Sequence, residues 1–195
     1  MFLFTGLGNP GQKYAMNRHN VGFMALDLLA ELYAFPAWQK KAASLQTTGQ
    51  INRSKIILLK PQSYMNNSGL PDAEAARFHK ISANNIFVFH DELDLASGRV
   101  RVKQGGGHGG HNGIRDIINL LDKKDFLRLR IGISHPGPNR NVVDYVLKRP
   151  TKDDADKIAT AEIKALEIMN DLLTGNIQNA IQTLHTKQEE AIIAK

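Results

Sequence analysis

Two short runs, Ile56-Ile57-Leu58-Leu59 and Ile86-Phe87-Val88-Phe89, are apolar at every position. A strand with one face in water alternates polar and apolar residues; one that does not alternate is covered on both faces, as in a sheet sandwiched by helices. These runs lie in strands predicted at 55–60 and 85–90. Further strands are expected at 1–7 and 126–134, with weaker ones at 43–52 and 98–104. Helical periodicity fills the gaps. Val21, Met24, Ala25, Leu28, Leu29 and Leu32 form one stripe over 21–33, and Ile114, Ile117, Ile118 and Leu121 form another over 113–121. Helices are also expected near 70–80, 142–148, 152–174 and 176–187. The alternation predicts an α/β protein: a single-domain α/β/α sandwich, with a central twisted mixed, mostly parallel β-sheet flanked by helices. Pro136-Gly137-Pro138 and Lys148-Arg149-Pro150 bound a loop-plus-helix lid segment, 136–150. With no internal repeat and no linker, one domain is expected over 1–195.

The 195 residues contain no cysteine, which removes disulfides, thiolate zinc sites and thiol nucleophiles and fits a reducing, cytoplasmic setting. No apolar run approaches the ~18–20 residues that cross a bilayer, and Met1-Phe2-Leu3-Phe4-Thr5 has no charged leader, so neither a membrane nor a secreted protein is expected. Lys and Arg number 25 against 19 Asp and Glu, a net charge of +6 that suits a polyanionic partner. Acidic residues gather after Pro150, whereas Arg99, Arg101, Lys103, Lys123, Lys124, Arg128 and Arg130 make the middle of the chain basic.

The first strand runs into Gly6-Leu7-Gly8-Asn9-Pro10-Gly11, a match to G-x-G-x-x-G. In a dinucleotide site those glycines open a helix at once, and an acidic residue follows the second strand. Here Pro10 and the polar stretch from Gln12 to Asn20 delay the helix and the acid is missing, so no such cofactor is expected. The delay places Arg18-His19-Asn20 beside the helix N-terminus. That pole disfavours imidazolium, which would leave His19 neutral and able to act as a base. A surface turn with Asn20 as N-cap accounts for the same residues.

After the strand at 55–60 comes Met65-Asn66-Asn67-Ser68-Gly69, whose amides can donate and accept toward an ester or amide, or simply cap a helix. The strand at 85–90 ends in His90-Asp91-Glu92-Leu93-Asp94. Carboxyl ends of strands face the ligand crevice in open α/β sheets, so Asp91 is a candidate to orient an imidazole; a hard cation held by these acids is the alternative. Alternation then sets Arg99, Arg101 and Lys103 on one strand face, and Arg128 and Arg130 outward on another, with Leu127, Leu129, Ile131 and Ile133 inward. If the two strands adjoin, Lys103 and Arg130 can clamp one phosphate. Between them Gly105-Gly106-Gly107-His108-Gly109-Gly110-His111-Asn112-Gly113 offers backbone N–H groups to a substrate. Two histidines on that loop, with neither cysteine nor a third ligand, do not make a zinc site.

Taken in order, Gly6 to Gly11, Tyr14, Arg18-His19-Asn20-Val21-Gly22, Met65 to Gly69, His90 to Asp94, Gly105 to Gly113 and Arg128 to Ile133 resemble the bacterial peptidyl-tRNA hydrolases over roughly 1–187. The resemblance implies hydrolysis of the ester joining a peptide to tRNA, with peptidyl-tRNA as partner, no cofactor, no metal and a monomeric chain. It implies His19 as the base that activates water and Asp91 as its orienting carboxylate. Asn9, Asn66 and Asn112 would hold the peptide and ester region, Tyr14, Met65 and His111 would line the crevice, and Lys103 with Arg130 would grip the tRNA 5′-phosphate. Asn17 stands where many members have threonine, and Asn67 where an apolar residue is common. The tail at 187–195 corresponds to a variable region.

The chemistry agrees with this. An imidazole that takes a proton from water contributes about 10²–10⁴-fold to ester hydrolysis. No G-x-S-x-G elbow is present, so direct attack by water is expected rather than an acyl-enzyme. An Asn amide or a glycine-loop N–H would serve the oxyanion. Two rival readings stand beside it: a non-catalytic RNA-binding protein resembling the chloroplast splicing factor related to these hydrolases, and a metal-dependent hydrolase built from Asp91, Asp94 and the His108/His111 loop.

Overall fold

The structure, a computed structural model, describes the chain to Ile193 and its side chains to Thr186. Seven strands form one sheet in the order β2-β3-β4-β1-β5-β7-β6. Their ranges are β1 Phe2–Gly6, β2 Gln39–Lys41, β3 Ser44–Ile51, β4 Ser54–Pro61, β5 Ile86–Glu92, β6 Val100–Gln104 and β7 Leu127–Gly132. The four central strands, β4, β1, β5 and β7, are parallel, while β2, β3 and β6 pair antiparallel at the two edges. The sheet is therefore mixed with a parallel centre.

The uninterrupted apolar runs sit in that centre, on β4 and β5. Their side chains alternate between two cores: Ile56, Leu58, Phe87 and Phe89 belong to one, and Ile57, Leu59, Ile86 and Val88 to the other. Helices α1 (Val21–Leu32), α5 (Lys152–Glu167), α6 (Met169–Leu173) and α7 (Ile177–Ile193) cover the first core, and α2 (Gly69–Phe78) and α3 (Asn112–Leu121) the second. A short α4 (Val142–Val146) lies within the expected lid segment. Of the tail expected at 187–195, residues 194 and 195 lie outside the described residues.

Three local expectations need correction. The buried stripe of α1 is Val21, Gly22, Ala25, Leu26 and Leu29, rotated from the one predicted, and Leu32 is largely exposed. The single helix expected over 152–174 breaks at Ile168, which together with Met169 is fully buried. Strand β2, with every side chain exposed, was not expected: it pairs through its backbone with Ser44–Gln46 and carries no apolar signal.

The join between α1 and the sheet decides where the site forms. A Cβ on Gly22 would strike the backbone of Leu7 and Phe89, and one on Gly6 would strike the backbone of Gly22. Two bare α-carbons thus let the first turn of α1 lie directly on the ends of β1 and β5. Whatever precedes α1 is thereby carried to the carboxyl end of β5.

Candidate active site

His19 lies on a 3₁₀ turn, Arg18–Asn20, that leads straight into α1, and Asp91 lies near the end of β5. Across 72 positions of sequence, His19 Nδ1 comes to 2.8 Å from Asp91 Oδ1. The carboxylate can only accept, so Nδ1 donates and the lone pair falls on Nε2, which makes no hydrogen bond among the described residues. This is the tautomer a general base needs.

A second ring fixes the carboxylate. His111 Nε2 lies 2.9 Å from the same Oδ1, while its Nδ1 accepts the Ile114 backbone N–H at 3.3 Å as the N-cap of α3. The capping bond leaves the His111 proton on Nε2, directed at Asp91. His90, the preceding residue on β5, is buried, hydrogen-bonds the Asp91 carbonyl through Nδ1 at 2.7 Å, and packs edge-on against the His111 ring.

Burial would push the Asp91 carboxyl up, but its electrostatic and hydrogen-bond interactions with His19 and His111 outweigh it and hold the group well below the usual carboxylate range. Burial likewise favours a neutral His19; here the adjacent carboxylate prevails and raises its pKa above the ordinary imidazole value. This corrects the expectation from helix position. The net shift of His19 is upward, and Asp91 is what raises it. His90 is the ring held neutral, its pKa pushed far down by burial and by His111.

His19 and Asp91 open onto a cavity of about 590 Å³, and Tyr14, Met65, His111 and the three expected asparagines also line it. Asn9 accepts the Met65 N–H at its Oδ1 (2.8 Å), which commits the oxygen and leaves the amide NH₂ for the cavity. Asn20, expected as a cap or a surface residue, is instead buried and clasps the Asn9 backbone, accepting its N–H at 3.0 Å and donating to its carbonyl at 2.9 Å. Asn66 and Asn112 are both exposed at the cavity, and Ser68, rather than capping α2, donates to the Met65 carbonyl. Met65 is buried and packs where Gly113 leaves room on α3.

The sequence reading missed part of the wall. Val142, Val143, Val146 and Leu147 on and after α4 form an apolar side, and Tyr64 packs edge-on against Tyr14 at 6.5 Å. A five-residue helix has too little periodicity to show which way its valines face.

The two basic strands do adjoin. Lys103 pairs with Arg128 and Arg101 with Arg130, which sets Lys103 and Arg130 diagonally on one face, about 7–8 Å apart by strand geometry. Arg128, expected outward, is buried: its guanidinium donates to the carbonyls of Gly106 (2.7 Å) and Gly107 (2.6 Å) and so holds the glycine loop in place. Arg130 is half committed to Glu92 at 2.8 Å, and Lys103 extends along Gly106.

Among the described residues His19, Asp91 and His111 could each offer a cation one ligand atom, all within 4.8 Å of one another, and His19 Nδ1 and His111 Nε2 both face Asp91 Oδ1. The two nitrogens, however, contact the oxygen at hydrogen-bond distance, whereas tetrahedral bonds of ~2.0–2.2 Å hold ligand atoms roughly 3.3 Å apart. Asp94 and His108 are not part of that group. No helix among the described residues is long and apolar enough to cross a membrane.

The family model for peptidyl-tRNA hydrolase matches residues 3–191. The peptidyl-tRNA hydrolase of Vesicomyosocius okutanii is 45% identical over 188 residues, covering 95% of this chain and 97% of that protein. The one from Beijerinckia indica is 43% identical over 195 residues, covering 100% and 98%. The crystal structure of peptidyl-tRNA hydrolase from Acinetobacter baumannii superposes with a TM-score of 0.90 at 37% identity, covering 94% of each chain. A 5′-methylthioadenosine nucleosidase from Arabidopsis thaliana, at 8% identity and a TM-score of 0.52, shares the fold alone. By sequence along its length and by the arrangement of its strands and helices, this chain belongs to the peptidyl-tRNA hydrolase family.

Proposed function

We propose that this protein hydrolyses the ester between a peptide and tRNA, releasing free peptide and reusable tRNA, and that a single domain working as a cytoplasmic monomer does so. The observation that carries the reading is the His19–Asp91 contact at 2.8 Å, on the wall of a cavity that also presents three carboxamides.

In this reading water lies at Nε2 of His19, which takes its proton as the oxygen attacks the ester carbonyl. The imidazolium that forms faces a carboxylate already oriented by His111, so the charge develops where its partner is waiting. Asn9, its oxygen already accepting from Met65, keeps its amide N–H donors for the substrate. With Asn66 and Asn112 it meets the peptide and ester oxygens, and Tyr14 and Met65 provide the walls. The proton then passes from His19 to the departing ribose oxygen. Lys103 and Arg130 hold a phosphate of the tRNA, giving affinity and register without reading bases.

The test is release from one aminoacyl-tRNA with its amino group blocked and then free. Rapid hydrolysis of the blocked form, with the free form much slower, is the expected result. Binding of the blocked form without release would favour the non-catalytic RNA-binding reading.

A further inference from the structure

The residue before His19 ties its turn to the apolar wall of the cavity. Arg18 is buried, and its guanidinium meets four groups from 145–154. Nη1 donates to the Arg149 carbonyl at 3.0 Å and to that of Lys148 at 3.4 Å, and Nη2 pairs with Asp154 at 3.3 Å. The guanidinium plane also lies 4.1 Å from the Tyr145 ring centre. Tyr145 in turn donates its hydroxyl to the Ile133 carbonyl at 2.6 Å, so the chain of contacts runs from the end of β7, through α4, to the turn bearing His19.

Helix α4 needs such support. Five residues are too few for a helix to hold itself, and Val143 is 59% exposed, so packing on that side does not fix it. An arginine buried at the cost of desolvation, its two Nη groups meeting two carbonyls and a carboxylate, makes a stiff strut of defined length.

We propose that Arg18 is a positioning residue: it sets the distance between the α4 wall and His19, so that an acyl group lying on Val142 and Val143 is presented to the base. The inference rests on the reading of His19 as the base; the strut itself can be tested without turnover.

The experiment compares Arg18→Gln and Arg18→Lys with the unchanged protein. Amide hydrogen exchange at Tyr145 and Leu147 is expected to quicken markedly in Arg18→Gln, and less in Arg18→Lys, while the amides of β1 and β5 keep their protection. With N-blocked aminoacyl-tRNA, KM should rise on the order of tenfold in Arg18→Gln, the scale of losing contact with an apolar side chain. Val143→Ala, expected to raise KM in the otherwise unchanged protein, should add little in the Arg18→Gln background, because the wall is already displaced. Unchanged exchange in α4, or KM effects of the two substitutions that simply multiply, would overturn the proposal. Should Arg18→Gln not fold, Arg18→Lys carries the same three readings. Quickened exchange in Arg18→Gln, with the unchanged protein itself inactive on N-blocked aminoacyl-tRNA, would uphold the strut and reject the hydrolase reading instead.

Discussion

His19 and His111 share one acceptor, the Oδ1 of Asp91, at 2.8 and 2.9 Å. Since the other nitrogen of His111 is fixed by its cap on α3, that ring holds the carboxylate, and the carboxylate holds His19. The order of support runs from the cap of α3 to His19.

Asp91→Asn should therefore lower kcat far more than it changes tRNA affinity. It should also move the pH dependence. In the proposed mechanism the base is unprotonated His19, and Asp91 raises its pKa, so kcat/KM should fall with decreasing pH through a midpoint above the ordinary imidazole value of about 6.5. Without the carboxylate, burial is what remains and the midpoint should shift to lower pH. A profile of kcat/KM from about pH 5 to 9 reads this, and an unshifted acid limb in the variant would count against the pairing.

Lys103→Ala and Arg130→Ala should weaken tRNA binding and flatten its dependence on salt, each by about 0.7–0.9 in the log–log slope if one phosphate contact is lost. The measurement is binding of deacylated tRNA at several salt concentrations. Arg128→Ala should act differently. It frees the carbonyls of Gly106 and Gly107 and loosens the glycine loop, so its loss should appear in turnover as well as binding.

Gly22→Ala is expected to destabilise the fold by about 1–3 kcal/mol, the usual cost of overpacking, because the added carbon meets the backbone of Leu7 and Phe89. It should also lower kcat, since any retreat of α1 draws His19 away from Asp91. Thermal unfolding and single-turnover rates check the two effects. A loss of stability with the rate intact would show that the α1 contact does not position the base.

Away from the cavity, Asp72 of α2 is fully buried, its Oδ1 bonded to the Thr5 hydroxyl and its Oδ2 without a partner. Burial pushes its carboxyl up to about 7, against the opposing effect of Thr5. The folded-state pKa thus exceeds the unfolded value of about 3.9, so the stability it contributes is fully present below that value and is lost as pH rises through about 7. Buried Glu162, pushed up to about 8, adds to the same trend. Asp72→Asn should be more stable than the unchanged protein at about pH 8.5 by up to a few kcal/mol, at ~1.4 kcal/mol per unit, with the advantage shrinking toward pH 5.5. Denaturant unfolding at the two pH values decides it.

Much of this was legible in the chain. The unbroken apolar runs of β4 and β5 located the centre of the sheet, because only a strand covered on both faces tolerates them. The ordered motifs placed His19, Asp91 and the asparagines near the ends of strands and helices, which the sheet gathers at one end. What could not be read depends on contacts between distant residues. The burial of Arg128 needs the glycine loop folded over it, and the role of Asn20 exists only once the 6–11 loop is clasped. Strand β2 is recruited by its neighbour's backbone. The direction of the His19 shift also escaped the sequence, since it depends on a carboxylate 72 positions away outweighing burial.

The most direct test is a single-turnover measurement of N-blocked aminoacyl-tRNA hydrolysis by His19→Ala, with tRNA binding followed in parallel. The account predicts a rate lowered by about 10²–10⁴-fold while binding and thermal unfolding stay near those of the unchanged protein. Hydrolysis within a few-fold of the unchanged rate would contradict it, because water would then be activated by some other group.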